Sequence, residues 1–139
     1  MRTNRIRIVG AVLAPAFAAV GGSFLLIPGK IIAFFNRISA PWGFPPAPAG
    51  ETGLFVLLAT AYMVVVTALA WTMARRPQDL FAPRLLALAK IASSLLSLGF
   101  VLLRSDHFIV LVNGVVDGII GNFVLWLVLP PKKRGEPSA

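Results

Sequence analysis

The sequence lacks cysteine entirely, and it has only one histidine and five acidic residues among its 139. The absence of cysteine excludes disulfides, thiolate metal sites and cysteine nucleophiles. Metal sites need converging histidine, cysteine or carboxylate ligands, and haem held between helices usually needs a buried histidine. We interpret the sole histidine, His107, as a loop residue beside Asp106. We therefore expect no metal, no cofactor and no catalytic set, in a chain that is not an enzyme.

Charge is scarce as well, since charged residues make up 13% of the chain against about 25% in ordinary soluble domains. Hydrophobic residues make up 58% of the chain, and the mean hydropathy is +0.85. This composition excludes a soluble globular protein, a disordered chain and a collagen-like fibre. The length of 139 residues suits one integral membrane domain, residues 1–139, and no second domain.

Four apolar segments are each near the ~20 residues that a helix needs to cross a bilayer. They cover residues 8–27, 53–74, 83–103 and 108–129. None alternates polar and apolar residues as a membrane strand would. In the fourth segment Asp117 costs about 3 kcal/mol, which the surrounding Leu, Ile, Val and Phe residues offset. The sequence predicts an all-α transmembrane bundle of four antiparallel helices.

The basic residues divide unequally between the two ends of these segments. The larger group is Arg2, Arg5, Arg7, Arg75, Arg76, Arg84, Lys132, Lys133 and Arg134, and the smaller group is Lys30, Arg37 and Arg104. Basic residues concentrate on the cytoplasmic side of membrane proteins, so we expect both termini to be cytoplasmic. The net charge of +8 then reflects topology and contact with membrane lipids, and no nucleic-acid partner is expected.

The N-terminal segment also has the features of a signal peptide. Basic residues and an apolar run precede Ala16-Phe17-Ala18, which resembles a cleavage site. The apolar run continues nine residues past Ala18, which favours an uncleaved first span.

Residues 28–52 form the only long connection, and five prolines make most of it irregular. Its first part, residues 30–37, is amphipathic and predicts a short helix lying in the membrane interface. Trp42 and Phe44 are then interpreted as interfacial anchors. The alternative is a lid over an external pocket. The tail at 130–139 is basic and contains proline.

Polar residues of the third and fourth segments fall on narrow stripes when placed at about 100° per residue. This intramembrane polar seam consists of Lys90, Ser93, Ser94, Ser97, Asn113, Asp117 and Asn122. The opposite face of the fourth segment should meet lipid. It consists of Val112, Val115, Val116, Ile119, Phe123, Trp126 and Leu127. From the estimated depth of each residue below the cytoplasmic surface, at about 1.5 Å per residue, we expect Asp117 to contact the serines and Lys90 to lie near Asn122. A direct Lys90–Asp117 pair needs a tilted third helix, because the two depths differ by about 9 Å.

Two interpretations of the seam stay open. Polar residues between membrane helices often serve only as packing contacts. An ionisable group in mid-membrane is instead a functional candidate, and Asp117 has no route to the surface, whereas Lys90 can extend toward it.

Small residues recur at helical spacing on the first and last segments. The predicted packing residues are Gly10, Ala14, Ala18, Gly22, Gly114, Gly118 and Gly121. Such spacings allow close approach of a neighbouring helix.

The segments "LIPGKIIAFF", "ARRPQD" and "VNGVVDGIIG" resemble, in their layout, the small bacterial four-helix membrane proteins grouped around the DoxX-like families. The resemblance implies a bacterial inner (plasma) membrane location, and some members are tied to quinone-linked or redox membrane complexes. Our leading hypothesis is a non-enzymatic protein that packs its small-residue and polar helix faces as a homo-oligomer or in a larger membrane complex. One alternative is a small oligomeric transporter or channel with its polar path at Asp117. Another is a quinone- or lipid-binding accessory subunit with a groove at Phe100 and Phe108.

Overall fold

A computed structural model describes residues 2–48, 53–104 and 107–129, without the side chains of 53–55. These parts are helical and contain no strand. The helices are α1 (Arg2–Leu26), α2 (Pro28–Ser39), α3 (Gly53–Arg75), α4 (Phe81–Arg104) and α5 (Phe108–Val128), with a 3₁₀ turn at Ala40–Trp42. All but α2 are long and apolar enough to cross a membrane. The prediction of an all-helical chain with four long apolar helices is confirmed, and the predicted tail at 130–139 lies outside the described residues.

The long helices pack mainly in two pairs, α1 with α3 and α4 with α5. A smaller contact between α3 and α4 joins the pairs, and α2 touches α1 and α5. The apolar core draws on all four long helices. Its buried members include Ile6, Ala14, Phe17, Val66, Ala70, Met73, Leu86, Ala87 and Val124.

The contact of α1 with α3 depends on two glycines. A Cβ added to Gly10 would lie 2.6 Å from the carbonyl oxygen of Ala70, and one added to Gly21 would lie 2.8 Å from Met63 Cβ. The buried face of α1 continues between them through Ala14 and Phe17.

Of the residues predicted to form the packing face of α1, Gly10 and Ala14 are buried. Ala18 is exposed, and nothing lies within 4 Å of a Cβ built on Gly22. The reason is geometric: each step of four residues overshoots a helical turn by about 40°, so a strict four-residue spacing leaves the contact face. Alternating steps of four and three keep residues on it.

On α5 the three glycines predicted as packing residues all face α4. Added Cβ atoms would lie 3.1 Å from Ser97 Cβ at Gly114, 2.7 Å from Ser94 Oγ at Gly118 and 2.8 Å from Ile91 Cγ1 at Gly121. These close approaches fix the register of α4 against α5.

The segment after α2 lies across the start of α5. Asn36 holds it through two hydrogen bonds: its amide donates to the Ala47 carbonyl oxygen at 2.9 Å, and its Oδ1 accepts from the Ala47 N–H at 2.8 Å. The rings of Trp42 and Phe44 lie 5.1 and 5.4 Å from that of Phe108. Residues 49–52 of the predicted loop lie outside the described residues.

The first helix reaches the end of the last. The guanidinium of Arg2 donates to the Leu127 carbonyl oxygen at 3.1 Å and also to that of Val128. Leu127 is buried, although the helical wheel placed it on the lipid-facing side.

Candidate functional site

The buried core contains one ion pair, between α4 and α5. Lys90 Nζ lies 2.6 Å from Asp117 Oδ1, and the two side chains are only 3% and 4% exposed. The sequence estimate placed Lys90 level with Asn122, and the glycine contacts give the same register. Gly118 lies against Ser94 and Gly121 against Ile91, so Lys90 is level with Asn122, and Asp117 lies about 7.5 Å away along α5. A lysine side chain spans that distance.

Two aromatic rings complete the surroundings of the ammonium group. Lys90 Nζ lies 4.7 Å from the ring centroid of Phe17 and 5.0 Å from that of Tyr62. Both distances are within cation–π range, where the electron-rich ring face attracts the positive charge. The Tyr62 hydroxyl donates to the Ala89 carbonyl oxygen at 3.1 Å. We call Phe17, Tyr62, Lys90 and Asp117 the central cluster, and each of the four long helices contributes one member.

The second carboxylate oxygen of Asp117 has no partner. Oδ2 is buried and makes no hydrogen bond to any residue that the structure describes. Leaving a buried acceptor unpaired costs roughly 1–3 kcal/mol, and more when the group is charged. The central cluster therefore holds a positive charge deep in the bundle and keeps one strong acceptor open beside it.

The rest of the predicted seam divides into separate contacts. The Asn113 amide donates to Ser97 Oγ at 3.0 Å and approaches Ser93 Oγ at 3.5 Å. Ser94 is buried beside Gly118.

Asn122 stands apart from both groups. It is exposed, and its amide donates to the Gly118 carbonyl oxygen on its own helix at 2.8 Å. Five positions separate it from Asp117, which is about 140° around the helix, so the two residues face different neighbours.

A groove opens elsewhere, between α1 and α2. Its volume is about 450 Å³, and its lining includes Val20, Phe24, Lys30 and Phe34. A groove at Phe100 and Phe108 was the expectation of the quinone-binding hypothesis. In the structure Trp42 and Phe44 pack against Phe108, and the Arg104 guanidinium lies 5.6 Å from the Phe100 ring.

The described residues contain no cluster of three or more His, Asp or Glu that could hold a metal ion. No family model matches the chain, and no curated protein and no solved structure matches it either. The candidate site therefore rests on its geometry: a buried ion pair, two aromatic rings and an open carboxylate oxygen.

Proposed function

We propose that the chain is a non-enzymatic, multi-pass membrane protein that works as a subunit of a membrane assembly, built from its own copies or with other proteins. The proposed location is a bacterial inner membrane, on the basis of the DoxX-like layout of its segments. The observation that carries the proposal is the position of Asn122, a carboxamide within an apolar span that is exposed on the outside of the bundle.

The surroundings of Asn122 are otherwise apolar. Ile119, Phe123 and Trp126 share its side of α5 and are 65%, 46% and 62% exposed. Polar residues inside a membrane usually face another helix, because lipid tails cannot satisfy them. The glycines of α5 are used within the chain, which leaves this Asn122 face as the surface for a neighbour.

The proposed topology is four antiparallel spans with both termini cytoplasmic. Contacts between α1 and α3 support it, since Gly10 lies near Ala70 and Ala74, whereas Gly21 lies near Met63. The α4–α5 contacts follow the same reversed order. The Arg2 hydrogen bonds to the end of α5 support placing the first and last helices with these ends on the same side.

Cross-linking tests the assembly directly, because the chain has no cysteine of its own. We expect Asn122→Cys to give a disulfide-linked dimer in oxidised membranes. Leu88→Cys is the matched control: it is 63% exposed on α4 and lies near the level of Gly121, which packs on Ala87 and Ile91. Native mass spectrometry of the wild-type chain identifies other subunits, and Asn122→Leu should weaken the association. A monomeric wild-type chain without partners would contradict the proposal.

A second candidate function is the transport of protons or small cations through the central cluster. The unpartnered Asp117 Oδ2 favours it, because this buried oxygen is an open acceptor at which a proton or small cation can bind. The test is proton flux into liposomes that enclose a pH-sensitive dye. Asp117→Asn should abolish the flux, whereas Asp79→Asn, an exposed position between α3 and α4, should leave it unchanged. Equal fluxes from both variants and from empty liposomes would contradict transport.

A further inference from the structure

The groove between α1 and α2 combines an apolar wall with one cation. The helix α1 ends at Leu26 and α2 begins at Pro28, and the groove is lined by residues of both helices. The space between them is about 450 Å³, within the ~300–1,000 Å³ range of small-molecule sites. The lining is almost entirely apolar, and Lys30 is the one charged residue among the described residues that form it.

The charged residues in this part of the chain all have one sign. The first 50 residues of the chain contain no aspartate or glutamate. Lys30 and Arg37 are seven positions apart on α2, so they lie on one side of that helix with Phe34 between them. A ligand that satisfies this surface has an anionic group near Lys30 and an apolar chain along α1.

We propose that this groove binds an anionic phospholipid, with one acyl chain between Val20 and Phe34 and its phosphate on Lys30. A zwitterionic lipid such as phosphatidylcholine carries the same phosphate, but its own choline cation lowers the net attraction to Lys30 and Arg37, so an anionic lipid is preferred. The site rests on the proposed insertion in a membrane and is independent of the proposed assembly. The bound lipid would lie in the membrane leaflet that surrounds the C-terminal end of α1.

Native mass spectrometry tests the proposal on the full chain, released from nanodiscs of equal phosphatidylglycerol and phosphatidylcholine. We expect the wild-type chain to retain phosphatidylglycerol in preference to phosphatidylcholine. Lys30→Gln should reduce that preference about fivefold, as removal of one basic contact to an anionic headgroup implies. The matched control is Arg104→Gln, an exposed basic residue outside the groove.

A second pair of variants tests the apolar part. Ala19→Phe fills the groove and should reduce retention of any lipid, whereas Ala92→Phe, on an exposed position of α4, should not. Equal retention of the two lipids by the wild-type chain would overturn the proposal, and so would unchanged retention in both Lys30→Gln and Ala19→Phe. The same spectra report the oligomeric state. A lipid-bound monomer contradicts only the assembly, and a lipid-free oligomer contradicts only the groove.

Discussion

Lys90 and Asp117 are buried as an ion pair, so the effect of substituting either residue depends on the other. Removing two charges from water costs several kcal/mol per ion, and mutual attraction repays this only with good geometry and added contacts. Here the geometry is a 2.6 Å contact, and the added contacts are the rings of Phe17 and Tyr62. Each charge is therefore acceptable only in the presence of the other.

At this scale we predict that Lys90→Met destabilises the protein by about 3–5 kcal/mol, because Asp117 is left charged and unpaired. The double variant Lys90→Met/Asp117→Leu should be neutral or more stable than wild type, because well-packed apolar residues often replace a buried pair without loss. The measurement is the free energy of unfolding in detergent micelles titrated with sodium dodecyl sulfate. A double variant as unstable as the single one would show that the cluster stabilises the bundle by more than mutual neutralisation.

The helical wheel placed Lys90 and Asp117 on facing stripes, and the depth estimate placed Lys90 level with Asn122, as the glycine contacts of α5 do. The ion pair does not follow from these levels, because it depends on the reach and direction of the Lys90 side chain, which only the folded structure shows. Phe17 and Tyr62 carried no signal of their own, since aromatic residues are ordinary in apolar spans. The one usable hint was the spacing Gly10, Ala14, Phe17 and Gly21, whose steps of four and three follow a packing face.

Among the helices, the packing of α1 on α3 depends on how closely their backbones can approach. At Gly10 an added Cβ would lie 2.7 Å from the Ala74 nitrogen and 2.6 Å from the Ala70 carbonyl oxygen, both of them backbone atoms. A rigid helix backbone cannot yield as the end of a flexible side chain can. At Gly22, on the same helix, the space is open.

Gly10→Ala and Gly22→Ala are thus a matched pair. We expect Gly10→Ala to destabilise by about 1–3 kcal/mol, the usual cost of overpacking, and to lower the melting temperature of the purified protein. Gly22→Ala should be neutral or slightly stabilising, because alanine favours helix over glycine by about 1 kcal/mol. Equal melting temperatures for the two variants would contradict the close α1–α3 contact.

Hydropathy located the long helices well because uninterrupted apolar runs are a strong signal. The beginning of α1 was less predictable: the helix starts at Arg2, six residues before the apolar run. Its early start follows from a tertiary contact, the Arg2 side chain on the carbonyl oxygens of α5, which no local pattern encodes.

For the whole molecule, the central cluster joins two helix pairs whose direct contact is small. Phe17 and Tyr62 belong to α1 and α3, whereas Lys90 and Asp117 belong to α4 and α5. The described basic residues Arg2, Arg75 and Arg84 then lie at helix ends that the proposed topology places on one side. Positive charge on that side opposes its transfer across the membrane.

This topology predicts the labelling of single cysteines by a membrane-impermeant maleimide. Thr3→Cys and Gln78→Cys should react only after the membrane is opened, because both are exposed at the basic end of the bundle. Ala40→Cys, exposed after α2, should react in intact cells. The reverse pattern would contradict cytoplasmic termini while leaving the bundle intact. Reaction of all three in intact cells would contradict the insertion of four spans. One span, α1, separates Thr3 from Ala40, and a second, α3, separates Ala40 from Gln78, so Ala40 must lie on the opposite side from the other two.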